Sequence, residues 1–260
     1  MRRLLSALAL ASAAFSQVPT IPPPIIQVTC KPGEATSPTR PYAGAKAAVD
    51  VVGLAAATGI PQTSMVEFHA NFASIEDLDK SVRSVAQGMQ PRDSFGQPAD
   101  DLLAPPRTMI ALFEPDWGCR PDEAIRLLPK ARYVRATIHR IRTGLESDFE
   151  ELVRLRKLTN DSVNLDRPEL AYHVISGAPS GTYIVLSPLN TLRVMDEGVA
   201  DVPAFAAPVA DLCAKAAPEA ADIEISREHL LFRVEPPLSY VSDDFAASDQ
   251  PFWRGKPAGQ

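Results

Sequence analysis

The chain has 260 residues, with 26 Lys and Arg against 32 Asp and Glu, for a formal net charge of −6 at neutral pH. With 45% apolar residues it can bury a sizeable core in one or two domains. Its acidic balance lacks the clustered basic surface by which nucleic-acid binders meet phosphate, so nucleic acid is not an expected partner.

Arg2 and Arg3 open the sequence, followed by an apolar run from Leu4 to Phe15. That run has the length of a signal-peptide core and is too short to span a bilayer. Cleavage is expected after Ser16, in Ala14-Phe15-Ser16, with Ala11-Ser12-Ala13 as the competing site. Residues 1–16 therefore predict export, to the periplasm or beyond. The mature chain would carry 24 basic and 32 acidic residues, or −8. No later segment reaches the roughly 18 consecutive apolar residues of a membrane span.

Residues 17–24 form a Pro-rich leader, and Ile25–Lys31 reads as a strand closed by Pro32-Gly33. Ala43–Thr58 predicts a helix, with Ala45, Ala48, Val49, Val52 and Ala56 on one face and Gly59 and Pro61 as stops. Met65–Phe72 alternates as a half-buried strand, with Val66, Phe68, Ala70 and Phe72 on its apolar face. Ser74–Asp77 resembles a capping box that opens a helix to about Gln87. After a Gly/Pro/Asp loop, Thr108–Phe113 is a second alternating strand, and Asp116–Lys130 reads as a linker.

The order of elements then returns. Tyr133–Arg142 predicts a strand. Ser147 and Glu150 make a capping box for a helix striped by Leu145, Phe149, Leu152 and Leu155. Leu170–Ser176 and Thr182–Ser187 flank the Gly-rich loop 177–181 as a hairpin, which reads as a turn and not as a phosphate site. Asn190 caps a short helix, Val202–Ala216 adds another, and His229–Val234 is the last strand. Residues 241–260 read as a C-terminal tail.

Residue matches support an internal repeat: Lys31-Pro32-Gly33 with Arg142-Thr143-Gly144, Phe72-Ala73-Ser74-Ile75 with Leu189-Asn190-Thr191-Leu192, and Phe113-Glu114-Pro115 with Val234-Glu235-Pro236. Residues 25–131 then hold a first βαββαβ unit with its linker, and residues 132–240 a second. The expected fold class is α+β: tandem ferredoxin-like units, each with helices on one face of its sheet, packed through their other faces as a barrel-like pseudo-dimer within one chain. Between Ile60 and Phe72 the first copy has room for only a stunted second strand, so its hairpin is expected to be shorter than that of the second copy.

The hairpin Tyr172-His173-Val174-Ile175-Ser176-Gly177-Ala178-Pro179 with Gly181-Thr182-Tyr183 resembles the dimeric α/β-barrel superfamily. The closing run Leu238-Ser239-Tyr240-Val241-Ser242 and Phe252-Trp253 is similar to that of exported bacterial proteins of no assigned activity that carry two such units. The resemblance covers roughly residues 25–255 and implies the fold. The superfamily includes haem-degrading and cofactor-free monooxygenases, haem peroxidases, isomerases and binding proteins, so it implies no particular catalytic residue.

No P-loop, nucleophile elbow, HExxH helix or dinucleotide fingerprint is present. Cys30, Cys119 and Cys213 make neither a disulfide framework nor a zinc motif, and a Cys30–Cys119 bridge is not expected. The informative polar groups lie on strands. Glu67, His69 and Asn71 share one strand face; Arg135, Thr137 and His139 share another; His173 and Tyr183 could join them. With helices over the apolar faces, these polar faces are expected to look into the space between the sheets. They could bind a polar small molecule, supply a histidine as base or haem ligand, or form a structural hydrogen-bond network. His229 is expected before the last strand and exposed. Trp117, Tyr240 and Trp253 are expected to cap the ends of the core. The sequence thus predicts an exported, non-enzymatic small-molecule or partner-binding protein, without metal or cofactor. The alternative is a monooxygenase-like or haem-dependent enzyme.

Overall fold

Strand pairing closes the chain into a barrel. The computed structural model describes residues 25–32, 49–58, 62–69, 74–77, 79–80, 107–162, 167–200 and 222–255. Within them lie β1 (Ile25–Pro32), β2 (Val49–Ala56), β3 (Gln62–His69), β4 (Arg107–Phe113), β5 (Tyr133–Ile141), β6 (Leu170–Ser176), β7 (Thr182–Leu189) and β8 (Glu224–Val234). The helices are α1 (Pro121–Leu127), followed by a 3-10 turn at Leu128–Lys130, then α2 (Glu146–Ser162), α3 (Arg193–Ala200), α4 (Asp243–Ala247) and α5 (Gln250–Arg254).

The barrel order is β1-β3-β2-β8-β5-β7-β6-β4, antiparallel throughout. Read as quartets, β4-β1-β3-β2 and β8-β5-β7-β6 have the same order, offset by four strands. Within the quartets eight residue pairs join β1 to β3 and eight join β5 to β7, while β6 and β7 share four. The two seams are thin. Three pairs join β2 to β8, and four join β4 to β6 across an irregularity at Ile110/Ala111. The chain after β8 reinforces the first seam, because Val51 and Tyr240 exchange both backbone hydrogen bonds at 2.7 and 2.8 Å. Gly53 makes this possible: a Cβ there would sit 2.4 Å from Leu238 Cβ.

Alternation along each strand decides what fills the barrel. Val52, Leu54, Val66 and Phe68 point inward from the first quartet, and Val134, Ala136, Leu170, Tyr172, Ile184, Leu186 and Phe232 from the second. One end is closed by Ile125 and Leu128 with Ala246 and Trp253, and Trp253 Nε1 donates to the Pro129 carbonyl at 2.7 Å. The expected linker and tail are thus a packed lid. Trp117 is buried outside the barrel, against α2.

Several expectations need correction. The helix predicted over Ala43–Thr58 is the strand β2 where the chain is described. Its alanines favour a helix, but Val51, Val52 and Leu54 are all at most 2% exposed, burying both faces as only a covered strand does. The first copy therefore has a full β2–β3 hairpin and not a stunted one. The α2 helix starts at Glu146, whose carboxylate accepts from Gly144 N–H at 2.7 Å, ahead of the predicted Ser147 cap. Thr191 Oγ1, not Asn190, accepts from the Arg193 N–H before α3. The last strand begins at Glu224 and contains His229. Ser74 does accept from Asp77 N–H, as its capping position predicts. Cys119 is a buried free thiol. The signal and leader segments, Asn71, Cys213 and the helix predicted over Val202–Ala216 lie outside the described residues.

Candidate functional site

The polar strand faces do not look into the barrel. On β5, Val134 and Ala136 point inward, so Arg135, Thr137, His139 and Ile141 point outward, where Ile141, Ala171, Tyr183 and Val185 form a second apolar cluster with Phe149 and Val153 of α2. The expectation that the candidate site lies between the two sheets is overturned. A closed barrel of eight strands has room for little more than its own side chains, and here those are apolar.

Strand register arranges this outer face in rows. His139 on β5 pairs with Tyr183 on β7, which pairs with His173 on β6. On its other side His139 pairs with Arg227 on β8, Thr137 with His229, and Arg135 with Leu231. The second unit thus brings together Arg135, Thr137, His139, His173 and Tyr183. Glu67 and His69 lie on β3 of the other quartet, buried and 3.4 Å apart, and do not join them.

The row nearest the N-terminus of α2 is aromatic. His173 stacks on Tyr183 at 4.6 Å between ring centroids, Phe149 stacks on it at 5.1 Å, and Trp117 tilts against it at 4.5 Å. Burial and the carboxylates of Glu150, Glu146 and Glu114 push the Tyr183 hydroxyl up to about 12, so it is a hydrogen-bond donor at neutral pH. Burial also raises Glu114, reinforced by Glu150 and Asp116 and opposed by His173.

Beside that row, His139 Nδ1 lies 2.7 Å from Glu224 Oε1, and Arg227 holds the same carboxylate. Burial alone would raise the Glu224 carboxyl, but these hydrogen bonds and charges outweigh it and hold the group below the usual carboxylate range. Thr137 Oγ1 meets His229 Nδ1 at 3.2 Å. Burial, then the charges of Arg227 and Arg135, lowers His229, which is exposed as expected.

At the far end of the face, Glu169 is buried and takes Arg156 at 3.0 Å and Arg135 at 3.6 Å. The Arg135 Nε is buried and has no hydrogen-bond acceptor among the described residues. Desolvation, offset by Glu169 and reinforced by Arg167 and Arg156, lowers the Arg135 guanidinium. Glu224 and Glu169 escaped sequence reasoning. Glu224 reaches His139 through the β5–β8 register, and Glu169 reaches Arg135 from the residue just before β6.

Haem requires an open slot beside an available imidazole nitrogen. Phe149, Tyr183 and His173 fill the space between α2 and the sheet in ring-to-ring contact, and His139 Nδ1 is committed to Glu224. These residues do not fit a macrocycle. Among the described residues, no group of three or more His, Cys, Asp or Glu side chains could hold a metal ion, and no helix is long and apolar enough to cross a membrane.

No family model and no curated protein matches the chain in sequence. Solved structures do match in shape. An anthrone oxidase-like protein superposes with a TM-score of 0.51 at 10% identity, covering 86% of this chain and 95% of its own. A proposed monooxygenase from Fusobacterium nucleatum gives 0.47 at 11% identity, with 81% and 92% covered. A mutant chlorite dismutase from Candidatus Nitrospira defluvii gives 0.45 at 7% identity, with 86% and 94% covered. The chain has the dimeric α/β-barrel fold, with both halves of the barrel supplied by one polypeptide.

Proposed function

We propose that this chain is an exported small-molecule-binding protein whose working surface is the outer face of the second unit, residues 132–240. In this reading residues 1–16 direct export, 17–24 form a leader, and the first unit, residues 25–131, completes the barrel. One observation carries the reading. Among the described residues Arg135 has a buried Nε without an acceptor, and its nearest carboxylate, Glu169, is already held more closely by Arg156. A partly desolvated guanidinium left short of acceptors favours a ligand that brings one. Thr137, His229 and the His139–Glu224 pair lie on neighbouring strands and would contact the remainder of a small polar anion.

Native mass spectrometry of protein purified from an exporting host tests both parts. The reading predicts a polypeptide mass starting at Gln17 and a bound small molecule that is lost in Arg135→Gln at unchanged fold. An uncleaved chain would contradict export. An apo mass without any thermal shift across a panel of carboxylates would contradict the binding role.

The His139–Glu224 pair favours a second reading, a monooxygenase-like enzyme. An imidazole oriented by a carboxylate is an arrangement for taking a proton from bound substrate. Glu224→Gln would then shift the pH profile of turnover while retaining substrate affinity. Turnover unaffected by both Glu224→Gln and His139→Ala would exclude that role.

A further inference from the structure

Arg132 and Arg233 line one pocket near the lidded end of the barrel. Arg132 immediately precedes β5, and Arg233 pairs with Tyr133 across the β5–β8 ladder. With Asn190, Leu192 and Phe252 they line an open pocket of about 430 Å³, within the size range of small-molecule sites. Tyr133 and His139 are six residues apart on one strand, so this pocket lies about 20 Å from the His139–Glu224 pair.

The lining is chemically one-sided. Both of its charged groups are guanidiniums, its carboxamide comes from Asn190, and its hydroxyls come from Thr191 and Tyr133. Phe252, Leu192 and Val234 supply apolar wall. Arg132 is preorganised: its guanidinium lies 3.8 Å over the Phe252 ring, donates to the Lys130 carbonyl at 3.0 Å and pairs with Asp249. Among the described residues Arg233 is held by Glu235, at 3.5 Å, and its side chain is 55% exposed, so it is available to turn towards a bound group. Asp249 and Glu235 contact the guanidiniums from outside the pocket and do not line it.

We propose that this pocket is a second binding site, for a small organic anion. A carboxylate sits between Arg132 and Arg233, and the ring or branched chain that bears it packs on Phe252 and Leu192. Fixed guanidinium donors beside an aromatic face provide both requirements at once, charge at one end and apolar contact at the other.

Benzoate serves as the probe. Acetate carries the charge without the body, and benzyl alcohol the body without the charge. Calorimetric titration is read alongside the fluorescence of Trp253, whose ring lies 5.0 Å from that of Phe252. Saturable benzoate binding is expected, with both controls at least about tenfold weaker. Arg233→Gln and Asn190→Asp, both at exposed positions, should each weaken benzoate about tenfold while melting close to wild type. Arg154→Gln, at an exposed position on α2, should leave benzoate affinity unchanged. The proposal is overturned if benzoate does not saturate, if either control binds equally well, or if the Arg233 and Asn190 variants bind as wild type. Loss of benzoate binding in Arg154→Gln would likewise overturn it, by placing the anion away from this pocket.

Discussion

One strand presents two surfaces with opposite fates. Inward, β5 gives Val134 and Ala136 to a barrel filled by apolar side chains; outward, it gives Arg135, Thr137 and His139, each tied to a polar group on another strand or on the chain leading into one. The difference teaches that a polar strand face in a covered barrel need not mark a cavity. The inner face is the one that can do nothing but pack. Chemistry, where the fold carries any, is left to the outer face and to the ends.

This contrast can be pressed experimentally, from the largest expected effect downwards. Leu170→Ala empties a fully buried inward position and should cost about 2–5 kcal/mol in denaturant unfolding. A loss below about 1 kcal/mol would mean that the interior is loosely filled. Gly53→Ala forces a methyl group into Leu238 at the thin β2–β8 seam and should cost about 1–3 kcal/mol. An unchanged midpoint would show that the seam can part without penalty.

His139→Ala leaves Glu224 with Arg227 alone and should cost about 1–3 kcal/mol. It should also change the acid limb of stability. The folded-state carboxyl of Glu224 is depressed, so its contribution is present above the ordinary value of 4.5 and is lost as pH falls through the lower folded value. The variant should lose part of that dependence, and an identical acid limb would show that the pair contributes nothing. Smallest is Tyr172→Phe. Its hydroxyl is buried in the barrel without a hydrogen-bond partner among the described residues, and burial holds it protonated far above the usual phenol range. Deleting it should leave stability within about 1 kcal/mol of wild type or raise it. A clear loss would reveal an internal polar partner.

Much of the frame was legible in the sequence because it rests on local pattern. Ile25–Lys31, Thr108–Phe113, Tyr133–Arg142 and the 170–187 hairpin carry alternation or turn residues that leave little choice. β2 was not legible: alanines spaced for a helix concealed a strand whose neighbours on both sides are supplied from afar. The grouping of Arg135, Thr137 and His139 followed from period two, but the direction they face did not. That direction depends on which side of the sheet α2 covers, and Phe149 and Val153 settle it only by packing on Tyr183 and Val185. Glu224 meets His139 through strand register over a long separation, and Glu169 meets Arg135 by tertiary packing, neither of which a local pattern encodes. Residues 241–260 read as a tail, yet the stretch Pro236–Arg254 folds back to complete a seam and close the barrel.

The central claim, that the barrel is filled and its outer face is the accessible one, is tested most directly by two neighbouring substitutions on β8. Leu230 packs inward against the core, and His229 points outward and is exposed. Thermal unfolding of Leu230→Asp and His229→Asp should differ widely: the first is expected to unfold or lose several kcal/mol, and the second to melt close to wild type. Equal tolerance of the two, or the reverse order, would contradict the account.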